Sequence, residues 1–99
     1  MLNINKIIED GKAVLSLEGR LDTTTAQDLD KELKASLDGL KELTLDFSAL
    51  DYISSAGLRV LLSTQKTMNQ QGEMKIINVN EIVMEILDVT GFSGILTIE

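Results

Sequence analysis

Three times along this chain a short run of alternating apolar and polar residues gives way to an apolar stripe at helical spacing. Ala13, Leu15 and Leu17 share one face against Ser16 and Glu18, and Ala26, Leu29, Leu33, Leu37 and Leu40 then recur at helical intervals. Leu43, Leu45 and Phe47 alternate with Glu42, Thr44 and Asp46, and are followed by Leu58, Leu61, Leu62 and Met68. Met74 to Asn78 reads as a further strand before the stripe Ile82, Val83, Ile86 and Leu87. A strand repeats its side-chain direction every second residue and a helix every 3.6, so one period cannot serve for the other. Asn3 to Ile8 supplies an opening strand, turned back at Glu9-Asp10-Gly11 by a hairpin signal of Asp-Gly type. A short final strand over Ile95 to Ile98 completes the order strand, strand, helix, strand, helix, strand, helix, strand. That order predicts an α/β fold with a mixed, largely parallel sheet flanked by helices and joined by right-handed crossovers.

Local signals place the boundaries. Thr24 and Gln27 have capping-box spacing ahead of the first helix, and Asp28 and Asp30 put acid into its first turns. Gly39, next to Asp38, is its stop. Ala49-Leu50-Asp51-Tyr52-Ile53 reads as a short turn leading to a second helix that runs to about Gln71 and ends at Gly72. Asn80 or Asn78 caps the third helix, and Gly91 closes it. No proline and no long Gly/Ser linker breaks the pattern, so residues 1–99 read as one domain.

Composition removes several classes of function. The chain has no cysteine, which fits a reducing, cytoplasmic setting, and no histidine, the commonest general base and metal ligand. A formal charge of −7 with only nine lysines and arginines gives no basic patch for nucleic acid. The charge by itself accounts for solubility and can steer a basic partner. No run approaches the ~20 apolar residues of a membrane helix. Met1-Leu2-Asn3-Ile4-Asn5-Lys6 lacks the basic-then-apolar layout of a secretory signal.

Ser54-Ser55-Ala56-Gly57 falls where the second helix begins, at the carboxyl end of a sheet strand, the usual position of function in open α/β sheets. Either serine can accept a bond from an orphan N–H of that helix, worth roughly 1 kcal/mol over alanine. A phosphate at the same place gains helix N–H donors and a favourable dipole, so about −2 of charge can be added without breaking the fold. Gly57 costs a helix about 1 kcal/mol relative to alanine, which points to a packing or access role. Lys6, Lys12 and Lys75 have no visible link to Ser55, and no histidine is present to activate it. A serine so placed is a substrate for modification, not a catalyst, and the chain reads as a non-enzyme.

Asp22 at the start of the first helix, and Asp46 and Asp51 at or beyond the end of the third strand, are the other candidates. Turn and cap chemistry explains each of them. Their spacing matches no metal loop, and Gly91-Phe92-Ser93-Gly94 lacks phosphate-loop spacing, so no metal or cofactor is expected. Met68, Met74 and Met84 fit core packing.

The segment Leu50-Asp51-Tyr52-Ile53-Ser54-Ser55-Ala56-Gly57-Leu58-Arg59-Val60-Leu61-Leu62 resembles the signature of the STAS family, the anti-sigma-factor antagonists. The similarity extends to Leu17-Glu18-Gly19-Arg20-Leu21-Asp22, Ile76-Ile77-Asn78-Val79 and Val89-Thr90-Gly91-Phe92, and so covers essentially the whole chain. It implies partner switching. An unphosphorylated antagonist binds an anti-sigma factor that is a serine kinase and so frees a sigma factor. Phosphorylation at the start of the helix ends that interaction, and a metal-dependent serine phosphatase restores it. By position relative to Gly57-Leu58, the resemblance maps the modified residue to Ser55 and a partner surface to Asp22, Asp51, Ser54, Ala56, Gly57, Leu58 and Arg59. Ser54 stands where many antagonists carry aspartate, and Ala56 where many carry serine or threonine. The other reading within the family is a subunit of a different regulatory or lipid-transport complex whose serine is never phosphorylated.

Overall fold

Asp10 and Gly11 both take positive φ, 52° and 76°, as a two-residue type I′ hairpin requires. They join strand β1, Leu2–Glu9, to β2, Lys12–Leu21, in an antiparallel pair that starts at Glu9 opposite Lys12. The computed structural model describes residues 2–99, so Met1 of the amino-terminal stretch lies outside it. Helix α1, Thr25–Ser36, leads to β3, Glu42–Ile53, which lies parallel to β2. Helix α2, Ser55–Gln71, leads to β4, Glu73–Ile77, parallel to β3, and α3, Glu81–Val89, follows. The sheet order is β1-β2-β3-β4, mixed and parallel after its hairpin.

Alternation decides which face is buried. Ala13, Leu15, Leu17, Leu43, Leu45, Phe47, Met74 and Ile76 point inward and share one core with Leu29 and Leu33 of α1, Leu61 and Met68 of α2, and Val83 and Leu87 of α3. The outer face carries Ser16, Thr44, Asp46 and Lys75, with Ile7 opposite Val14 at its edge.

Four boundaries differ from the sequence reading. Ala49 to Ile53 is not a turn: β3 continues through it. Against β2, β3 gains one extra residue between the pairings Ser16–Asp46 and Glu18–Ala49, and another between Gly19–Leu50 and Arg20–Tyr52. Each bulge shifts the alternation, so the buried series runs Leu43, Leu45, Phe47, Leu50, Ile53. A spacing of three imitates a turn because a regular strand repeats at two. Asp46 and Asp51 therefore lie within β3, not at or beyond its end. Likewise β2 runs on through Gly19 and Arg20 to Leu21.

Helix α1 stops at Ser36, before Leu37 and Leu40; the expected stop Gly39 is left-handed, φ 76°, and the Gln71 side chain donates to the Leu37 and Leu40 carbonyls, at 2.6 and 2.7 Å. The last strand shrinks to one parallel bridge, Ile76 to Ile98, after a 3-10 turn over Phe92–Gly94. Asn80, not Asn78, caps α3: its Oδ1 accepts from the Val83 N–H at 2.8 Å. Met68 and Met74 are buried as expected, whereas Met84 is only half-buried. Among the described residues no helix is long and apolar enough to cross a membrane.

Gly72 ends α2 in extended backbone that any residue adopts, so space is what demands glycine here. A Cβ would fall 1.9 Å from the Lys41 carbonyl oxygen, which already accepts the Glu73 N–H at 2.9 Å. Gly72→Ala should therefore destabilise the chain by about 1–3 kcal/mol, as overpacking does. Urea denaturation of the two proteins measures this, and coincident midpoints would refute the tight approach.

Candidate functional site

Strands β2 and β3 end side by side, with Leu21 opposite Ile53, and a helix follows each within a few residues. The Ser54 N–H donates to the Leu21 carbonyl at 2.8 Å, tying the two exits together. Two helix amino termini thus stand together at the carboxyl ends of adjacent parallel strands.

The first of them is closed by Asp22. Its Oδ1 accepts from the N–H groups of Thr24 and Thr25, at 3.0 and 2.9 Å. The Thr25 hydroxyl accepts from the Asp22 N–H at 2.8 Å and donates to the Arg20 carbonyl at 2.7 Å. This reciprocal pair replaces the expected Thr24–Gln27 box. Thr24 already has helical backbone, φ −75° and ψ −49°, and its side chain makes no cap bond. The Ala26 N–H donates to the Asp22 carbonyl at 2.9 Å, so the first helical turn opens at Asp22, two residues before Thr24. The spacing Asp22-x-x-Thr25 was the available signal in the sequence.

At the second terminus the two serines separate their tasks. Ser54 is extended, φ −97° and ψ 173°, and its Oγ accepts from the Gly57 N–H at 3.4 Å. Its carbonyl takes the Leu58 N–H at 3.0 Å. Ser54 is the cap. Ser55 is the first helical residue, exposed, and α2 has no acidic residue in its first turn. Aspartate and serine are near-equal N-caps, so Ser54 performs locally what an aspartate at that position would.

Of the other candidates, Asp51 and Arg59 are exposed and Asp22, Ser54 and Ala56 are half-buried. Gly57 and Leu58 are buried beneath them. A Cβ on Gly57 would lie 2.7 Å from Leu21 Cγ and 3.0 Å from Ile53 Cγ1, which shows how closely α2 rides on the strand ends. Two residues escaped the sequence reading. The Arg20 guanidinium stacks over the Tyr52 ring, 4.5 Å from its centroid, one register step before Leu21 and Ile53. That pairing exists only because of the second bulge in β3, which no residue pattern announces.

Asp46 lies away from these termini. Its carboxylate accepts from the Ser48 N–H at 2.9 Å and from Asn78 Nδ2 at 3.2 Å, and so braces the first bulge. Backbone donation holds both acids below the usual carboxylate range: the Thr25 N–H for Asp22, the Ser48 N–H for Asp46. The lysines considered earlier are engaged elsewhere, Lys6 with Glu32, Lys12 with Glu42 and Lys75 with Glu99. Among the described residues no three carboxylates are grouped to hold a metal ion.

A family model described as the STAS domain matches residues 3–99. The chain belongs to that family. It is 40% identical over 96 residues to BtrV of Bordetella bronchiseptica, a protein named as an anti-sigma factor antagonist, covering 95% of this chain and 81% of that one. An anti-sigma factor antagonist from Mycobacterium paratuberculosis superposes with TM-score 0.89 at 22% identity, covering 99% of this chain and 85% of that one. The antagonist SpoIIAA has the same STAS fold. Its unphosphorylated form gives TM-score 0.84 at 14% identity, covering 98% of this chain and 88% of that one. Its phosphorylated form, from Bacillus, gives 0.74 at 13% identity, covering 100% and 91%.

Two outcomes test this geometry. Gly57→Ala should lose about 1–2 kcal/mol in urea denaturation despite the better helix former, because the new methyl meets the buried Leu21; a gain in stability would contradict the close approach. A carboxyl held low when folded stabilises above its unfolded value, and that contribution is lost as pH falls through the folded one. Asp22→Asn keeps the Oδ1 acceptor but cannot titrate. Its stability should fall less steeply than the parent's below about pH 4, as followed by acid titration of the circular dichroism.

Proposed function

We propose that this STAS protein is an anti-sigma-factor antagonist working in the cytoplasm as a non-enzymatic phospho-switch. Unphosphorylated, it binds an anti-sigma factor that is a serine kinase and thereby frees a sigma factor. That kinase phosphorylates Ser55 and ends the interaction, and a metal-dependent serine phosphatase restores it. The observation that carries this reading is the division between the serines: Ser54 caps α2, so the Ser55 hydroxyl is exposed and structurally unemployed. The names borne by its relatives support the same reading.

A phosphate on Ser55 meets the first-turn N–H groups of α2, with Arg59 one turn along on the same face. The scaffold therefore tolerates the modification, and the effect falls on the interface. Covering an unpaired dianion with a partner is costly, and Asp22 and Asp51 nearby add like-charge repulsion. About 3 kcal/mol is enough to weaken binding more than a hundredfold.

Ser55→Asp should weaken binding to the anti-sigma kinase by at least about tenfold, while Ser55→Ala binds like the parent and blocks phosphate incorporation; calorimetry and mass spectrometry after incubation with kinase and ATP read these out. Undiminished binding by Ser55→Asp, or phosphate found on Ser54 instead, would overturn the assignment.

A further inference from the structure

Arg20 and Arg59 are the arginines of this chain, and they are the only basic side chains from Glu18 to Asp30 and from Glu42 to Gln65. Arg20 closes β2 one residue before Leu21, and Arg59 lies one turn into α2 from Ser55. Both are exposed. The ion pairs among the described residues engage lysines only: Lys6, Lys12, Lys34 and Lys75. Neither guanidinium meets a carboxylate, although Glu18, Asp22 and Asp51 flank Arg20 in sequence or register and the formal charge is −7.

Tyr52 holds Arg20 instead. The second bulge in β3 advances the pairing from Gly19–Leu50 to Arg20–Tyr52, and the guanidinium lies 4.5 Å from the ring centroid. The Leu21 carbonyl, next in the chain, takes the Ser54 N–H at 2.8 Å, so the stack stands beside the start of α2. Stacking occupies the face of the guanidinium and leaves its edge, with the forked N–H donors, open. A fork fixed in plane gives up little freedom when a carboxylate takes two of its donors side by side. Arginine and tyrosine are also the side chains that most often dominate binding at the centre of an interface.

The charge selects the occupant. An acidic chain steers toward basic partners as a whole, whereas an open arginine fork at this one point is matched by an acid. Opposed local signs of this kind fix the register of two proteins.

We propose that the Arg20 fork, stacked on Tyr52, binds an aspartate or glutamate side chain of the protein that covers Ser55, and so sets how that protein is seated. This rests on the switch reading above, in which the covering protein is the anti-sigma kinase.

Calorimetry of the full chain with that kinase tests it. Arg20→Ala should weaken binding at least about tenfold, the scale of a lost charge-assisted pair. Arg20→Lys, which keeps the charge but not the fork, should recover less than half of that loss on a logarithmic scale. Both variants should melt within about 3 °C of the parent. When the kinase's acids are replaced singly, one Asp→Asn or Glu→Gln change should weaken the parent's binding to the same extent and cost Arg20→Ala nothing further. Arg20→Lys binding like the parent, or losses that simply add to that of Arg20→Ala in every kinase variant, would overturn the assignment and leave the switch intact. A parent chain that does not bind the kinase at all would sink the switch reading, and this assignment with it.

Discussion

The 2.8 Å hydrogen bond from the Ser54 N–H to the Leu21 carbonyl holds the exits of β2 and β3 level. With those exits level, the Asp22 cap and the Ser54 cap become neighbours, although 32 residues of chain separate them. The parallel register below sets up this contact, and Gly57 completes it by letting α2 settle on Leu21 and Ile53. A side chain at Gly57 would lift the helix start and, with it, Ser55.

The two bulges in β3 make that register possible. Leu45 faces Leu15, whereas Ile53 faces Leu21, so β3 uses two more residues than β2 over the same stretch. Over that stretch β2 still buries Leu15, Leu17 and Leu21, and β3 buries Leu45, Phe47, Leu50 and Ile53. Extra residues without loss of burial are what bulges provide. Asp46 secures the first by accepting from Ser48, and Arg20 on Tyr52 covers the second from the outer face.

Much of this was legible in the residues. The Asp-Gly hairpin, the strand over Glu42 to Phe47, the Asn80 cap and the position of Ser55 at a helix start all follow from chemistry acting within a few residues. What escaped depends on contacts distant in sequence. Leu37 and Leu40 keep helical spacing but lie beyond α1, where Gln71, 31 residues past Leu40, takes their carbonyls. The end of β3 was hidden because a bulged strand and a turn leave the same apolar spacing. Around Ser55, Gly57 and Leu58 turn inward, because α2 seats on Leu21 and Ile53 from distant parts of the chain.

Helix α2 is fastened at both extremities. Gly57 seats its start against Leu21, while Gln71 grips the end of α1 and Gly72 lies against Lys41. Each end is thus held by a different part of the fold, the start by the strand exits and the finish by the segment that follows α1.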